Sequence, residues 1–287
     1  MEPKLRIASI TDEFSPTDFG LALDSMAAIG MTGAELRVVF GKNIMDLTKE
    51  ELGRAKAMLD ERGIEVISIA SPILKCTLPN APDVDTRFQQ DMFNAKYTIA
   101  DQPALAQHAF EIAKFTGAKI IRVFSYWRTV APEQCFDAVV AALKDLADQA
   151  AEHDLIIGLE NEHACNVATA AESAKLLGAL PHPNLKLVWD PANALVSGEN
   201  PYPVGYGLLP KDRIVHVHAK DCHMEGHQPH WGPVGTRDVD WKGQVAGLWK
   251  DGYRGWLSLE THWAGPAGDK RQGSTICGWN LRGLASM

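Results

Sequence analysis

Short apolar runs rich in β-branched residues alternate along the chain with longer segments of helical period. Eight such runs predict strands, and they begin at Leu5, Ala34, Ile64, Lys119, Leu155, Leu185, Ile214 and Trp256. In the segments between them, apolar residues recur at i, i+3, i+4 and i+7, as expected for amphipathic helices that bury one face. The pattern therefore predicts eight consecutive β/α units.

This number of β/α units favours a closed α/β barrel. A single (β/α)8 TIM barrel typically takes about 250 residues, whereas an open doubly wound sheet usually has fewer strands and a glycine-rich phosphate turn after the first. The segment SITDEF, which ends the first run, is no such turn. We predict one domain over residues 1–287, because no Pro/Gly/Ser-rich linker interrupts the alternation.

Polar residues and glycines mark several of the predicted helix ends. Ser15, and Thr48 followed three residues later by Glu51, predict helix N-caps. Gly30 and Gly117 stand where C-caps are expected, since glycine adopts the left-handed conformation that ends many helices. These signals place the helix boundaries close to the ends of the amphipathic segments.

Three connections are longer than a simple turn: residues 71–102, 191–212 and 221–240. All three follow the carboxyl end of a predicted strand, and in TIM barrels that face carries the active site. Long connections inside compact domains are usually functional. We expect the segment 71–102 to cover the mouth of the barrel, or to mediate assembly with copies of the chain or with a partner subunit.

Composition and charge restrict the classes of ligand. Hydrophobic residues make up 46% of the chain and charged residues 22%, which is ordinary for a globular protein with a large core. The formal net charge of -8 argues against nucleic acid as a partner, because gripping phosphate backbones needs a basic surface. A small neutral or cationic ligand fits this charge better.

The cysteines and the first residues bear on the compartment. The five cysteines are widely spaced and form no C-x-x-C pair, which predicts a reducing environment. The segment MEPKLRIASITDEF lacks the apolar core of a signal peptide, and no apolar run approaches the roughly 18 residues of a membrane span. We expect a cytoplasmic protein that does not bind membranes.

The seventh predicted strand carries the densest group of chemically active residues, in the stretch VHVHAKDCH. Alternate residues of a strand face the same side, so His216, His218 and Lys220 share one face and the valines share the other. The valines suit the face that packs against helices. We expect His218, which is nearer the open mouth, to bind a ligand and His216, one layer deeper, to support it.

Three neighbouring strands end in an acid: Glu160, Asp190 and Glu260. Together with His218 they would form one ring at the mouth, and three carboxylates so close repel each other unless they are protonated or bind a cation. A divalent metal would remove this conflict, and the oxygen-rich donors favour Mn²⁺, Mg²⁺ or Co²⁺ over Zn²⁺. By the same alternation, the small Gly158 lies beneath Glu160 and is expected to leave room there.

The motifs GLENEH, VWDPANA, HVHAKD and GWLSLE resemble those of the sugar phosphate isomerase/epimerase family of xylose isomerase-like barrels. That superfamily includes ketose 3-epimerases, hydroxypyruvate isomerase, inosose dehydratase and endonuclease IV. The resemblance implies that Glu160, Asp190, His218 and Glu260 bind Mn²⁺ or a similar metal. It also implies that Glu160 and Glu260 are catalytic, as a proton-transfer pair on opposite sides of the substrate.

Two positions depart from the pattern of the ketose 3-epimerases. Asn193 stands where those enzymes usually have a histidine, and Met224 stands where they have an arginine that holds the substrate. The substrate is therefore not expected to be a free ketose bound in their standard way.

Further polar residues near the predicted strand ends are candidates for binding a sugar. Each could also be a structural ion-pair partner, and the sequence does not separate these two roles. The candidates are Glu35, Lys75, Arg122, His163, Asn193 and Lys220. Lys220 is also placed to pair with the adjacent Asp221.

The leading hypothesis is a divalent-metal-dependent isomerase or epimerase that removes a proton next to the carbonyl of a small sugar or keto-sugar, through an enediolate. The alternative is a lyase on the same scaffold, either a keto-sugar dehydratase or an enzyme that cleaves 3-keto-glycosides by elimination. A nuclease like endonuclease IV would need histidines on the early strands, and none precedes His108. An amidohydrolase would carry H-x-H on its first strand, where this chain has none.

Overall fold

The computed structural model describes residues 4–87 and 96–287, and it contains a closed barrel of eight parallel strands. Each strand pairs with its neighbours in the sequence, and the eighth closes the barrel by pairing with the first. The strands are β1 (Arg6–Ile10), β2 (Gly33–Leu36), β3 (Glu65–Ala70), β4 (Ile120–Val123), β5 (Ile156–Glu160), β6 (Leu185–Trp189), β7 (Ile214–Ala219) and β8 (Trp256–Leu259). The predicted (β/α)8 barrel is confirmed.

A helix follows each strand, and the long helices pack their apolar faces on the outside of the barrel. In the fourth helix the buried residues are Val139, Leu143, Leu146, Ala147 and Ala150, which recur every three or four positions. The helices are α1 (Phe19–Ile29), α2 (Lys49–Asp60), α3 (Gln102–Thr116), α4 (Phe136–Ala151), α5 (Ala170–Ala179), α6 (Pro191–Val196), α7 (Trp241–Lys250) and α8 (Lys270–Ala285). No described helix is both long and apolar enough to cross a membrane.

The helix boundaries agree with the sequence signals at α2 and differ at α1. Thr48 and Glu51 form the predicted capping box, each side chain accepting from the other residue's backbone N–H. Helix α1 begins at Phe19 and is capped by Asp18, which accepts from the Leu21 N–H. The prediction of Ser15 as the N-cap is wrong, because its hydroxyl accepts from the Asp18 N–H in the turn before the helix.

Strand β2 is shorter than its apolar run. The run predicted extended chain from Ala34 through Val39, but β2 ends at Leu36, and Val38–Val39 pairs with Lys42–Asn43 in a small antiparallel hairpin. The chain turns away at Arg37, whose guanidinium donates to the carboxylate of Asp12 at 2.8 Å. This side chain is thereby held at the mouth of the barrel.

Each of the three long connections contains regular structure in its described part, and in residues 71–102 this is the short 3-10 helix Ile99–Asp101. Residues 191–212 include helix α6, and residues 221–240 include the antiparallel hairpin Asp221–Glu225 with Gln228–Gly232, called here the mouth hairpin. Both lie at the carboxyl ends of the strands. The connection 71–102 includes residues 88–95, which are outside the described part of the chain.

The layer beneath the strand-end acids is filled rather than open. A Cβ on Gly158 would lie 2.8 Å from a methyl group of Val188 and 2.9 Å from one of Ile120. The space beside this glycine is therefore taken by the neighbouring aliphatic side chains.

Candidate metal centre

The four residues predicted as metal ligands lie together at the carboxyl ends of strands β5 to β8. Glu160 ends β5, Asp190 follows β6, His218 lies in β7 and Glu260 follows β8. Each offers one donor atom, and these atoms lie within 4.8 Å of one another. The four side chains are at most 3% exposed, so the cluster is shielded from water.

His218 uses both of its ring nitrogens. Nδ1 lies 3.1 Å from Glu160 Oε1 and 3.2 Å from Glu260 Oε2, so it points into the cluster. Nε2 lies 3.2 Å from Glu35 Oε1, which is also 2.8 Å from His216 Nε2. A carboxylate behind a metal-binding imidazole fixes the orientation of the ring.

The structure thus places Glu35 behind the imidazole pair, fully buried. The two imidazoles meet edge to face, with ring centroids 5.4 Å apart. This arrangement agrees with the supporting role expected for His216 one layer deeper in the barrel.

Three basic side chains neutralise the carboxylates of the cluster. Arg122 donates to Glu160 Oε2 at 2.8 Å, and Arg37 donates to Glu260 Oε1 at 3.1 Å. Lys220, with 0% exposure, donates to Glu260 Oε2 at 2.9 Å and lies 2.8 Å from Asp190 Oδ2. The chain itself therefore supplies cations that relieve much of the repulsion from which a metal was inferred.

Burial and these contacts shift the pKa values of the carboxyl groups in the cluster. Burial and the nearby Glu260 charge raise the pKa of Glu160, but His218 and Arg122 outweigh them and bring it down to about 2. Burial raises the pKa of Asp190 to about 7, although the ammonium group of Lys220 opposes this. A cation bound at Asp190 would oppose the effect of burial, as Lys220 does, and favour the charged carboxylate.

The donor set fits a divalent cation. Asp190 Oδ1 accepts from the backbone N–H of Asn193 and caps helix α6. Oδ2 is buried and accepts no hydrogen bond, although Lys220 is near. One imidazole nitrogen with carboxylate oxygens suits Mn²⁺, Mg²⁺, Co²⁺ or Zn²⁺. A cation here would give Asp190 Oδ2 a second partner beside the ammonium group of Lys220.

Asn193 and His163 lie side by side at the edge of the cluster. The Asn193 amide donates to Glu160 Oε1 at 3.3 Å, and its oxygen lies 2.8 Å from His163 Nδ1. The His163 ring is also 3.0 Å from Glu162, and the ammonium group of Lys75 lies 3.9 Å from that carboxylate. The predicted sugar-binding candidates on this side thus form one connected group with the cluster.

Lys220 and Asp221 do not pair with each other, contrary to the pairing considered from the sequence. Lys220 faces the cluster, whereas the Asp221 carboxylate accepts from the backbone N–H groups of Gly235, Arg237 and Val239 at 2.9 to 3.1 Å. Asp221 therefore fastens the segment that follows the mouth hairpin. Adjacent strand residues point to opposite sides, which explains the separation.

His262, which lies two residues beyond Glu260, was not predicted from the sequence. Both of its ring nitrogens are buried and have no hydrogen-bond partner among the described residues. Its ring lies against Trp231 of the mouth hairpin, with centroids 4.5 Å apart. A sequence signal for His262 did exist. Ser258, Glu260 and His262 are alternate residues, so they are expected to face the same side, and this alternation continues beyond the end of β8.

A cavity of about 540 Å³ opens above this group, and its lining includes His163, Trp231, Arg87 and Arg128. Arg87 is bound by Asp85 at 2.5 Å and Arg128 by Glu172 at 3.0 Å. The cavity lies where a ligand would approach the cluster. Its lining is locally basic, which the net charge of the whole chain does not indicate.

Comparison with known proteins agrees with this architecture. Residues 23–276 match the family model described as a xylose isomerase-like TIM barrel. Among curated proteins, inosose dehydratase of Bacillus thuringiensis (strain Al Hakam) is 24% identical over 212 residues, which are 72% of this chain and 64% of that protein. The chain thus spans less than two thirds of this relative.

Two solved structures have the same fold at low sequence identity. The IOLI protein, solved with a bound zinc atom, has a TM-score of 0.75 and 15% identity, and 98% of each chain is covered. D-allulose 3-epimerase from Methylomonas sp. has a TM-score of 0.70 and 18% identity, with 99% of this chain and 97% of that chain covered. With a family model that matches most of its length, the chain belongs to the family of xylose isomerase-like TIM barrels.

Proposed function

We propose that this chain is a divalent-metal-dependent dehydratase of a keto-polyol. It removes a proton from the carbon next to the carbonyl and expels a hydroxyl group from the following carbon as water. The observation that carries the proposal is the buried Lys220, a proton donor in contact with two oxygens of the cluster. The similarity to inosose dehydratase supports a polyol ring as the substrate.

The chain's own residues account for each proton. Glu260 accepts the proton of the C–H bond, the electron pair of that bond forms the C=C bond, and the C–O bond breaks. Lys220 gives its proton to the departing hydroxyl group. Because Glu260 Oε2 and Lys220 Nζ are 2.9 Å apart, the proton then passes from Glu260 to Lys220 and the site is reset. This proximity also predicts loss of hydrogen and hydroxyl from the same face.

A divalent ion, for which Mn²⁺ is our first choice, would be held by Glu160, Asp190, His218 and Glu260 and would make the C–H bond beside the carbonyl more acidic. Arg122 and Asn193 hold Glu160, and Arg37 holds Glu260. These contacts fix the carboxylates before the substrate binds, so little reorganisation is needed at the moment of proton transfer.

A second candidate is epimerisation, which was the leading hypothesis from the sequence. It is favoured by the nearly equal distances of Glu160 and Glu260 from His218 Nδ1, 3.1 and 3.2 Å, which suit two bases acting on opposite faces of one carbon. The fold shared with D-allulose 3-epimerase is compatible with it. Asn193 and Met224, which replace residues expected to hold a free ketose, weigh against it.

Nuclear magnetic resonance in deuterated water separates the two reactions. The Mn²⁺-loaded protein is incubated with scyllo-inosose or with D-allulose, and the metal is removed with chelator before spectra are recorded. We expect scyllo-inosose to lose water, with no reaction in chelator or in Glu260→Gln. Lys220→Met should keep exchange of the carbon-bound proton but lose elimination, whereas the exposed Lys144→Met should match the wild type.

A product that differs from the substrate only in configuration would favour the epimerase. Turnover without deuterium incorporation or loss of water would reject both reactions. Because the chain covers 64% of the curated relative, the substrate panel also includes ketoses and other cyclic keto-polyols.

A further inference from the structure

His262 is a half-buried side chain with two buried ring nitrogens, and the proposed chemistry does not use it. It lies two residues beyond Glu260, and neither ring nitrogen has a hydrogen-bond partner within the described part of the chain. Buried imidazoles are normally satisfied by protein or water. A ring that is left without partners at the mouth of a barrel is therefore suited to bind a group that arrives from outside.

Trp231 covers this imidazole. The two rings are 4.5 Å apart at an angle of 57°, and the indole also lines the cavity of about 540 Å³. The four residues of the metal cluster are at most 3% exposed. His262 lies within electrostatic reach of two charged groups there, Lys220 and Glu260, so a polyol that moves the indole aside would meet the imidazole beside the cluster.

The backbone that carries Trp231 is held in place, so the movement is expected in the side chain. Five residue pairs join the two strands of the mouth hairpin. The Asp238 carboxylate accepts from the Met224 N–H at 2.8 Å, and Asp221 fastens the segment that follows. The indole side chain is therefore expected to move while the backbone of the mouth hairpin stays in place.

The charges around the cavity indicate an uncharged ligand. Both arginines of its lining lie close to a carboxylate, Arg87 beside Asp85 and Arg128 beside Glu172. The buried lysines outside the lining are paired as well, Lys75 with Glu162 and Lys220 with Asp190 and Glu260. A phosphate or carboxylate group would have to compete with these internal partners. Hydroxyl groups need only a donor and an acceptor, which an imidazole supplies.

We propose that Trp231 and His262 form a binding site for the uncharged polyhydroxylated part of the substrate. Trp231 covers His262 until the polyol enters. The indole then packs against the C–H face of the polyol, and the freed imidazole hydrogen-bonds one of its hydroxyl groups. The placement of the substrate carbonyl at the metal cluster rests on the proposed function, but the polyol site itself does not.

Binding of myo-inositol tests the site separately from catalysis, because this polyol has no carbonyl and cannot react. Titration calorimetry is performed on the Mn²⁺-loaded wild type, His262→Phe, His262→Gln and Trp231→Ala. His262→Phe keeps the ring and removes the nitrogens, so we expect affinity to fall about tenfold, the effect of one lost hydrogen bond. His262→Gln should restore part of the affinity for myo-inositol. Trp231→Ala should bind myo-inositol about tenfold more weakly than the wild type.

Two further measurements distinguish a binding role of His262 and Trp231 from a purely structural role. His262→Phe should keep the affinity for Mn²⁺ and should not lower the melting temperature, because it removes two unpaired buried nitrogens. Addition of myo-inositol should change the tryptophan fluorescence of the wild type but not of Trp231→Phe. The controls His108→Phe and Trp279→Phe alter exposed residues that do not line the cavity and should behave as the wild type.

Equal myo-inositol affinity in the wild type and His262→Phe would overturn the proposal, as would an absence of saturable binding at the solubility limit. Tighter binding of myo-inositol 1-phosphate than of myo-inositol would reject the uncharged class of ligand. If the polyol binds as expected but scyllo-inosose is not converted, the proposed function fails and the polyol site stands.

Discussion

At the scale of single residues, Lys220 is the side chain with the most unusual environment. It is fully buried and contacts the carboxylates of Asp190 and Glu260. A buried ammonium group is stable only with such partners, and the partners in turn depend on it. Lys220 therefore has two effects of opposite sign: it stabilises the metal-free cluster, and it competes with a metal for the same oxygens.

Substitution of Lys220 by Met separates these effects. We expect the metal-free protein to lose about 3 kcal/mol of unfolding free energy, since two buried carboxylates lose their partner. Mn²⁺ should bind about tenfold more tightly because no fixed cation competes with it. Denaturant unfolding and titration calorimetry measure the two quantities. Lys144→Met, whose side chain is 59% exposed, is the control, and weaker Mn²⁺ binding in Lys220→Met would contradict the competition.

The two histidines of β7 give a second test at this scale. His218→Ala removes the nitrogen that faces the carboxylates, so we expect nearly complete loss of bound Mn²⁺. His216→Ala should retain the metal and lose about 2 kcal/mol of stability, because it leaves a cavity and takes a partner from Glu35. Elemental analysis of the folded variants checks both expectations. Equal loss of Mn²⁺ from the two variants would show that His216, although deeper in the barrel, has the same role as His218.

At the scale of elements, the carboxylate of Asp221 holds the segment that follows the mouth hairpin. Asp221 accepts three backbone N–H groups from residues 235–239, and an acceptor of this kind is costly to remove from a buried site. We expect Asp221→Ala to loosen residues 221–240 by about 2 kcal/mol while the barrel stays folded. Hydrogen exchange of the backbone should accelerate there and nowhere else. Glu225→Gln, on the exposed tip of the same hairpin, should leave the exchange unchanged.

The elements were largely predictable from the sequence because strand alternation and helical period are local properties. The register of β7 and the strand-end positions of Glu160 and Glu260 follow from alternation alone. The turn at Arg37 does not, because its partner Asp12 lies 25 positions away. His262 was missed for another reason: it lies beyond the end of β8, where a strand pattern is no longer sought.

At the scale of the whole molecule, the barrel holds its cluster of acids with or without a metal. Arg37, Arg122 and Lys220 reach the cluster from strands or strand ends that are far apart in the sequence. These side chains hold the carboxylates in place before any ion binds. The barrel is therefore expected to fold as a metal-free protein and to gain stability on loading.

Chelation tests this expectation. Removal of the metal should leave the far-ultraviolet circular dichroism unchanged. Addition of Mn²⁺ at about 100 times its dissociation constant should add about 2.7 kcal/mol of stability, which is a rise of about 4 °C in the melting temperature for a chain of this size. Loss of secondary structure in chelator would mean that the basic side chains do not suffice to hold the cluster.

Asp190 also makes the cluster observable without a substrate. One of its oxygens accepts the Asn193 backbone N–H, while the other faces Lys220. A diamagnetic cation such as Mg²⁺ or Zn²⁺ that draws electrons from the second oxygen weakens the first as an acceptor, so the amide resonance of Asn193 should move as the ion binds. Paramagnetic Mn²⁺ should instead broaden this resonance, so one backbone signal reports both kinds of ion.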